Sequence, residues 1–364
     1  MAVRLIGVWW LMYVGHRNNR SVHDMLASWD GQWMLALARH GYADVPVQLT
    51  DAHGQHTTDT AYAFFPGYPG VVHAVSFLGI GTYAAAITTS LVCGAAATVA
   101  AYRIGGWCAL HKWPSDEQRA DQAGILMAVL FAATPMSIVL SMAYTEAIYC
   151  ALAGWALWMV LERRWIAAGL LTSCAGLTRA TAVALIAVVV IGAFLDRPAG
   201  RRRWMGPALA PLGWLAWMVT VAVHTGSLLG WFEVQGRGWD TGIDFGRATL
   251  TYLRDTFATN QAAGDVFTAW VVVATLVLVV LAFVTRLPWP VATYGTLAAA
   301  TVLLSTGLMN SRVRLLLPAF VLLTPVALAL AQRSRTTQLT VAVATTAVST
   351  WFGAYMLGIY PYAI

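Results

Sequence analysis

Residues 266–286 read VFTAWVVVATLVLVVLAFVTR, an almost unbroken apolar run with Asp265 before it and Arg286 at its end. About 20 apolar residues are needed to cross the hydrocarbon core of a bilayer as a helix, so this stretch is long enough to span. Lipid offers no partners for backbone amides, which leaves only helices or a closed barrel as spanning structures. The run is rich in Val, Leu and Ala and lacks the period of two that a barrel strand needs, so it reads as a helix.

The remainder of the chain repeats the pattern. Comparable stretches lie at about 3–15, 80–106, 121–142, 144–162, 165–178, 180–196, 204–225, 290–308, 315–332 and 337–360. The pair 165–178 and 180–196 reads either as two short spans or as one interrupted helix. The expectation is therefore an all-α polytopic membrane protein with ten or eleven transmembrane helices, forming a single domain over residues 1–364. Composition agrees: 59% of the 364 residues are hydrophobic and 10% are charged. A soluble chain usually carries about 25% charged residues.

The net charge of +6 points to membrane orientation rather than to nucleic acid. Basic residues in polytopic proteins collect on cytoplasmic loops. With Arg4 inside, the same side receives Arg103, Lys112, Arg119, Arg163, Arg164, Arg197, Arg201, Arg202, Arg203, Arg286, Arg333 and Arg335, while most acids fall outside. Lys112 is the only lysine, a bias that reads as a GC-rich bacterial genome and a plasma-membrane location. Cys93, Cys108, Cys150 and Cys174 lie in or beside apolar runs without CxxC spacing, so neither a disulfide framework nor a zinc site is expected. Arg4 and the apolar residues after it lack a small-residue cleavage site and read as a retained first span.

Two outer segments, 16–79 and 226–265, exceed simple connectors, and long loops of this kind are usually functional or disordered. Their aromatic content argues against disorder. In the first, Ser28-Trp29-Asp30-Gly31-Gln32-Trp33 continues to His40-Gly41-Tyr42. Trp29, Trp33, Leu37 and His40 share a helical face, with Asp30 off it. This predicts a short amphipathic helix at the interface, its aromatics at headgroup depth and Gly41 at its C-terminal end. Asp30 on the first turn has two readings: a carboxylate favouring the helix N-terminus, or a general base at the lipid–water border. Further along comes Phe64-Phe65-Pro66-Gly67-Tyr68-Pro69-Gly70, followed by His73.

Together these two elements are similar to those of the PIG-V family of mannosyltransferases, of the GT-C class. The likeness continues through Tyr144-Thr145-Glu146, Leu177-Thr178-Arg179-Ala180-Thr181 and Arg312-Val313-Arg314-Leu315-Leu316-Leu317-Pro318. It implies a GT-C-like bundle and an inverting transfer of mannose from a polyprenyl-phosphate-mannose donor to an acceptor hydroxyl at the extracytoplasmic face. It maps the catalytic base onto Asp30 and implies no cofactor.

The residue inventory suits such a reaction, since a departing lipid phosphate needs charge stabilisation. Arginines beside membrane spans are functional candidates by default; here they are Arg179, Arg312 and Arg314, with His73 as a further phosphate contact and headgroup snorkelling as the alternative. Because i and i+2 do not share a helix face, Arg312 and Arg314 are expected to divide their tasks, one on the donor and one on a loop carboxylate. Glu146 is assigned a supporting role in the bundle, together with Trp29, Trp33, His40 and Tyr68. Trp231, Trp239 and Asp240 of the second segment are the acceptor-binding candidates. His53 and His56 beside Asp51 and Asp59 lack stereotyped metal spacing, so no metal is expected. The acceptor class stays open among lipids, glycans and glycopeptides. The rival readings are a GT-C enzyme with another lipid-phosphate sugar, or a transporter or lipid flippase; the latter is disfavoured because no internal repeat is present.

Overall fold

A computed structural model describes residues 2–196 and 201–364; Arg197, one of the basic cluster, lies outside the described residues. Every apolar stretch read from the sequence coincides with a helix or a series of helices. Among the described residues no strand forms, and one isolated antiparallel bridge joins Ile243 to Ser305. The chain is an all-helical integral membrane protein.

Fewer than ten or eleven of the described helices have, on their own, the length and apolarity of a full crossing. Among the described residues, four helices have both: Thr82–Lys112, Met205–Thr225, Ala263–Val284 and Arg335–Gly358. A fifth is obtained if Met309–Leu315 and Leu317–Leu330, bent by 57°, act as one span. Glu146–Leu161, Trp165–Gly176 and Ala182–Leu195 are apolar but only 16, 12 and 14 residues long. At about 1.5 Å per residue such helices are shorter than a hydrocarbon core of about 30 Å. The first of them is mostly buried within the bundle, whereas Leu170, Phe194 and Leu195 of the other two are exposed.

Small residues permit this packing. A Cβ on Gly154 would lie 2.8 Å from the Cβ of Ala100, and one on Gly105 would lie 2.6 Å from that of Met127. Close backbone approach of this kind is the usual route to helix association in lipid, where no hydrophobic drive separates helix from tail. Polar caps fix the ends of other helices: Asp116 accepts from the Arg119 amide at 3.0 Å, and Ser334 from the Thr337 amide at 3.2 Å. The bend in 309–330 has a local cause in Pro318, which cannot donate to the preceding turn and breaks the helical run.

The first outer segment folds differently from an interfacial helix lying on lipid. Asp30–His40 is helical and ends at Gly41, whose φ is 70° and whose amide donates to the Leu37 carbonyl at 3.0 Å. Both flanks of this helix are nevertheless covered by protein. Trp33 and Leu37 pack with Val45 and Ala61, while Met34, Leu35 and Ala38 pack with Tyr68 and Val72. Trp33 is 5% exposed and stacks on Phe64 at 5.0 Å instead of reaching headgroups. The loop that follows returns over the helix and takes the place lipid was expected to occupy.

Candidate active site

Four chain segments converge where helices begin or end. Asp30 is the first residue of its helix, Glu146 the first residue of Glu146–Leu161, and Arg179 sits in the turn before Ala182–Leu195. Arg314 belongs to the short first limb of the bent 309–330 segment. Trp29, immediately before Asp30, holds φ 50° and ψ −116°, a conformation costly for a non-glycine residue. Gly31 lets this helix start lie close to Tyr144, for a Cβ there would meet the Tyr144 ring at 3.3 Å. Backbone strain and a close approach thus fix the position of Asp30.

Arg314 is the hub. Its Nη2 donates to Asp30 Oδ2 at 2.6 Å, its Nη1 to Glu146 Oε1 at 2.9 Å and its Nε to the Ile364 carbonyl at 2.6 Å. The guanidinium also lies over the Tyr144 ring, 5.1 Å from its centroid, and the Tyr144 hydroxyl donates to the Ser28 carbonyl at 2.9 Å. Arg179 Nη1 reaches the same Glu146 oxygen at 2.7 Å and Thr145 Oγ1 at 3.0 Å. Glu146 is fully buried, and a buried carboxylate is tolerable only when paired. Two guanidiniums share its Oε1, whereas Oε2 has no hydrogen-bond partner.

Asp30, Arg179 and Arg314 line a cavity of about 270 Å³. Phe64, Phe65, Trp231 and Trp239 cover it from the two outer segments. Beside the cavity those segments meet at the carbonyl of Ala63, which accepts from Trp231 Nε1 at 3.2 Å and Gln235 Nε2 at 2.9 Å; Arg237 also pairs with Asp59 at 2.9 Å, and the Ala52 amide donates to the Gly238 carbonyl at 3.0 Å. Asp30 retains 28% side-chain exposure, and its Oδ1 makes no hydrogen bond among the described residues. Arg179 is 11% exposed, and neither its Nε nor its Nη2 has a protein acceptor among the described residues. The cavity therefore offers one open carboxylate oxygen and two open guanidinium donors.

Of the division expected for Arg312 and Arg314, the carboxylate half is visible. Arg314 takes the loop carboxylate, and Arg312 turns the other way, although it also lines the cavity. Arg312 is 2% exposed. Its Nη1 donates to the Val302 carbonyl, its Nη2 to the Ser305 carbonyl at 2.5 Å and its Nε to Met309 Sδ at 2.9 Å. Two of its nitrogens thus hold the backbone at 302 and 305, and the third holds the Met309 side chain.

Other residues singled out from the sequence lie elsewhere. His73 is exposed, pairs with the Ala38 carbonyl at 2.8 Å and does not line the cavity. His40 is exposed at the end of its helix. Tyr68 is buried and bonds to Ser90 at 2.9 Å and to the Ala86 carbonyl at 3.0 Å. Asp240 points its carboxylate at His53, 3.2 Å away, and is mostly exposed. Sequence reasoning passed over Met34, Gln235, Thr181 and Ser311, all of which line the cavity; the hydroxyls of Thr181 and Ser311 are buried without a partner. Thr181 stood inside a motif already quoted, but a lone hydroxyl in an apolar stretch carries no further signal. Among the described residues no cluster of potential metal ligands forms.

No protein-family model matches the sequence, and no curated protein matches it. Solved structures do. The chain is similar to ArnT from Cupriavidus metallidurans bound to undecaprenyl phosphate, with a TM-score of 0.50 at 15% identity. Against ArnT from the same organism in the apo state the TM-score is 0.52 at 16% identity. The likeness is one of fold. It covers 86% of this chain and 57% of the ArnT chain, so this chain spans little more than half of ArnT's length. The GT-C-like membrane bundle expected from the sequence is thereby found in the structure.

Proposed function

We propose that the protein is an inverting membrane glycosyltransferase that moves mannose from a polyprenyl-phosphate-mannose donor to an acceptor hydroxyl at the extracytoplasmic face. The observation that carries this reading is the open oxygen of Asp30 in a cavity that also exposes unengaged Arg179 donors. Arg314 binds Oδ2 and leaves Oδ1 for an incoming hydroxyl. A general base must come within hydrogen-bond reach of the proton it takes, and a cavity-lining carboxylate satisfies that geometry.

In this scheme the acceptor hydroxyl donates to Asp30 Oδ1 and attacks the anomeric carbon from the face opposite the lipid phosphate. The new carbon–oxygen bond forms as the bond to the phosphate oxygen breaks, with inversion. The leaving phosphate keeps the electron pair, and Asp30 keeps the proton. Arg179 stabilises the charge that develops on the phosphate through preorganised charge-assisted donors. The fold neighbour bound to undecaprenyl phosphate supports a lipid phosphate as the donor's carrier. The sugar itself rests on the likeness of the 28–70 motifs to PIG-V mannosyltransferases.

Outward placement has its own support. Arg163 and Arg164 follow the far end of the helix that Glu146 begins, and Ala263–Val284 has the same sense, with Asp265 in its first turn and Arg286 just past its end. Basic residues at the end away from the site agree with a cytoplasmic location for that end. Membranes containing the protein, incubated with radiolabelled polyprenyl-phosphate-mannose, should transfer label to an endogenous acceptor, and Asp30→Asn should abolish transfer while leaving the protein folded. Near-normal turnover by purified Asp30→Asn would falsify the role of Asp30 as base.

A further inference from the structure

Beside the cavity lies a second, wider hollow of about 630 Å³. Asp244, Tyr252, Asp255 and Asp265 of the second outer segment line it, and Tyr360 and Tyr362 of the C-terminal tail close its side. One stretch of chain runs past both spaces: Met309 and Asn310 line the hollow, and Ser311 and Arg312 line the cavity.

The chemistry of the wall narrows what it can hold. Three carboxylates stand there against one guanidinium, that of Arg247, an arrangement unfavourable to an anion. Nor is it built for a bare cation, because its acids are partly satisfied by protein. Asp244 accepts from the Gly246 and Ala248 amides at 2.9 and 2.6 Å, and these bonds, that from Ala248 foremost, hold its carboxyl below the usual range. Asp265 Oδ1 accepts from the Tyr360 hydroxyl at 2.7 Å, and Asp255 pairs with Arg254 at 2.9 Å.

Donors and acceptors remain side by side. The Asn310 amide, the Arg247 guanidinium and the hydroxyls of Thr251 and Tyr362 make no hydrogen bond among the described residues. Carboxylate lone pairs stand beside them. A hydroxyl both donates and accepts, so vicinal hydroxyls match such a wall better than a phosphate, which only accepts, or an ammonium, which only donates. The Tyr362 ring, 60% exposed and backed by the buried Tyr360 ring 5.4 Å away, adds aromatic surface for the C–H face of a ring.

The helix Arg247–Ala258 sets the depth of the hollow. Arg247, Thr251 and Asp255, spaced by four residues, line it. Leu250 and Phe257, seven residues apart on another face, are 67% and 48% exposed. An amphipathic helix of this kind lies in the interface, apolar face to lipid and polar face to water. We infer that this hollow is a binding site for a polyhydroxylated ring, a sugar or cyclitol, held at the membrane border next to the cavity. Its identification as the distal ring of the acceptor rests on the transferase reading; the binding itself does not.

The test is direct binding. The full-length protein in lipid nanodiscs is titrated with methyl α-mannoside and with myo-inositol, followed by saturation-transfer NMR. Tyr362→Ala, Asn310→Ala and Asp255→Asn should each weaken ring binding about tenfold, equivalent to about 1.4 kcal/mol, without moving the thermal unfolding midpoint. Asp30→Asn should leave ring binding unchanged. Absence of ring binding, or binding indifferent to all three hollow variants, overturns the proposal. Nanodiscs containing phosphatidylinositol separate the sources. Competition with free myo-inositol supports the site with a lipid-anchored ligand; its absence, with hollow-dependent binding of methyl α-mannoside, supports the site with a soluble glycan. Hollow-dependent binding in a protein that transfers no sugar would leave this site standing and remove the transferase reading.

Discussion

Arg314 Nη2 and Asp30 Oδ2 lie 2.6 Å apart, joining residues 284 positions distant in the chain. The same guanidinium binds Glu146, so one arginine sets both the orientation of the open carboxylate and the charge balance beneath it. Arg314→Lys keeps the charge but cannot span both carboxylates with fixed geometry, since a lysine is a point charge without the planar fork. Displacement of a catalytic group by about 1 Å typically costs a hundredfold. The expected outcome is a fall of kcat by about 10² with the KM for donor nearly unchanged, measured in the labelled-donor assay. A matching rise in KM with kcat preserved would instead place Arg314 on the donor.

Glu146 predicts a stability effect. It is buried between Arg179 and Arg314, and removing one partner of a buried ionic cluster leaves charge uncompensated. Such losses run to about 3–5 kcal/mol. Glu146→Gln, with its shape nearly unchanged, should lower the thermal unfolding midpoint of the detergent-solubilised protein clearly, as well as impair transfer. An unaltered midpoint would show that the cluster does not hold the bundle together.

How far the sequence reveals these partners depends on the kind of signal each leaves. Asp30, Glu146, Arg179 and Arg314 are conspicuous because charge beside an apolar run is expensive, and the structure brings all four into one network. Trp33 shows the opposite case: its helical spacing fits an interfacial face, yet a returning loop covers it. His73 lies near the motifs in sequence but bonds the Ala38 carbonyl on the outside. The meeting of Ala63 with Trp231 and Gln235 has no local signature, because it joins a backbone carbonyl to side chains about 170 residues away. Helix lengths are legible only in part: the short runs 165–178 and 180–196 stand out in the sequence and form helices of 12 and 14 residues. An apolar run shows what can be buried, and it does not show whether lipid or neighbouring protein does the burying.

Arg179 predicts an effect on donor binding. It lines the cavity with two nitrogens unengaged among the described residues, and a charge-assisted hydrogen bond contributes about 1.5–3 kcal/mol. Arg179→Ala should therefore weaken competition by free undecaprenyl phosphate by roughly 10- to 100-fold, and Arg179→Lys should recover part of that loss. Unchanged competition in the alanine variant would move the phosphate to another part of the cavity.

Gly67 and Gly70 provide a paired steric test within one helix. The Gly67 amide donates to the Leu177 carbonyl at 2.7 Å, which draws the Phe-Phe-Pro-Gly-Tyr-Pro element against the turn carrying Arg179. A Cβ on Gly67 would stand 2.7 Å from that carbonyl oxygen and 2.7 Å from Thr178 Cγ2, so backbone has to shift. At Gly70 a Cβ meets nothing within 4 Å. Gly67→Ala should cost about 1–3 kcal/mol of stability by overpacking and raise the KM for donor, because Phe65 and Arg179 line the same cavity. Gly70→Ala should be neutral or slightly stabilising, since alanine is the better helix former. Measured side by side, thermal midpoints and donor KM should separate the two variants; if they behave alike, the close approach at Gly67 does not position Arg179.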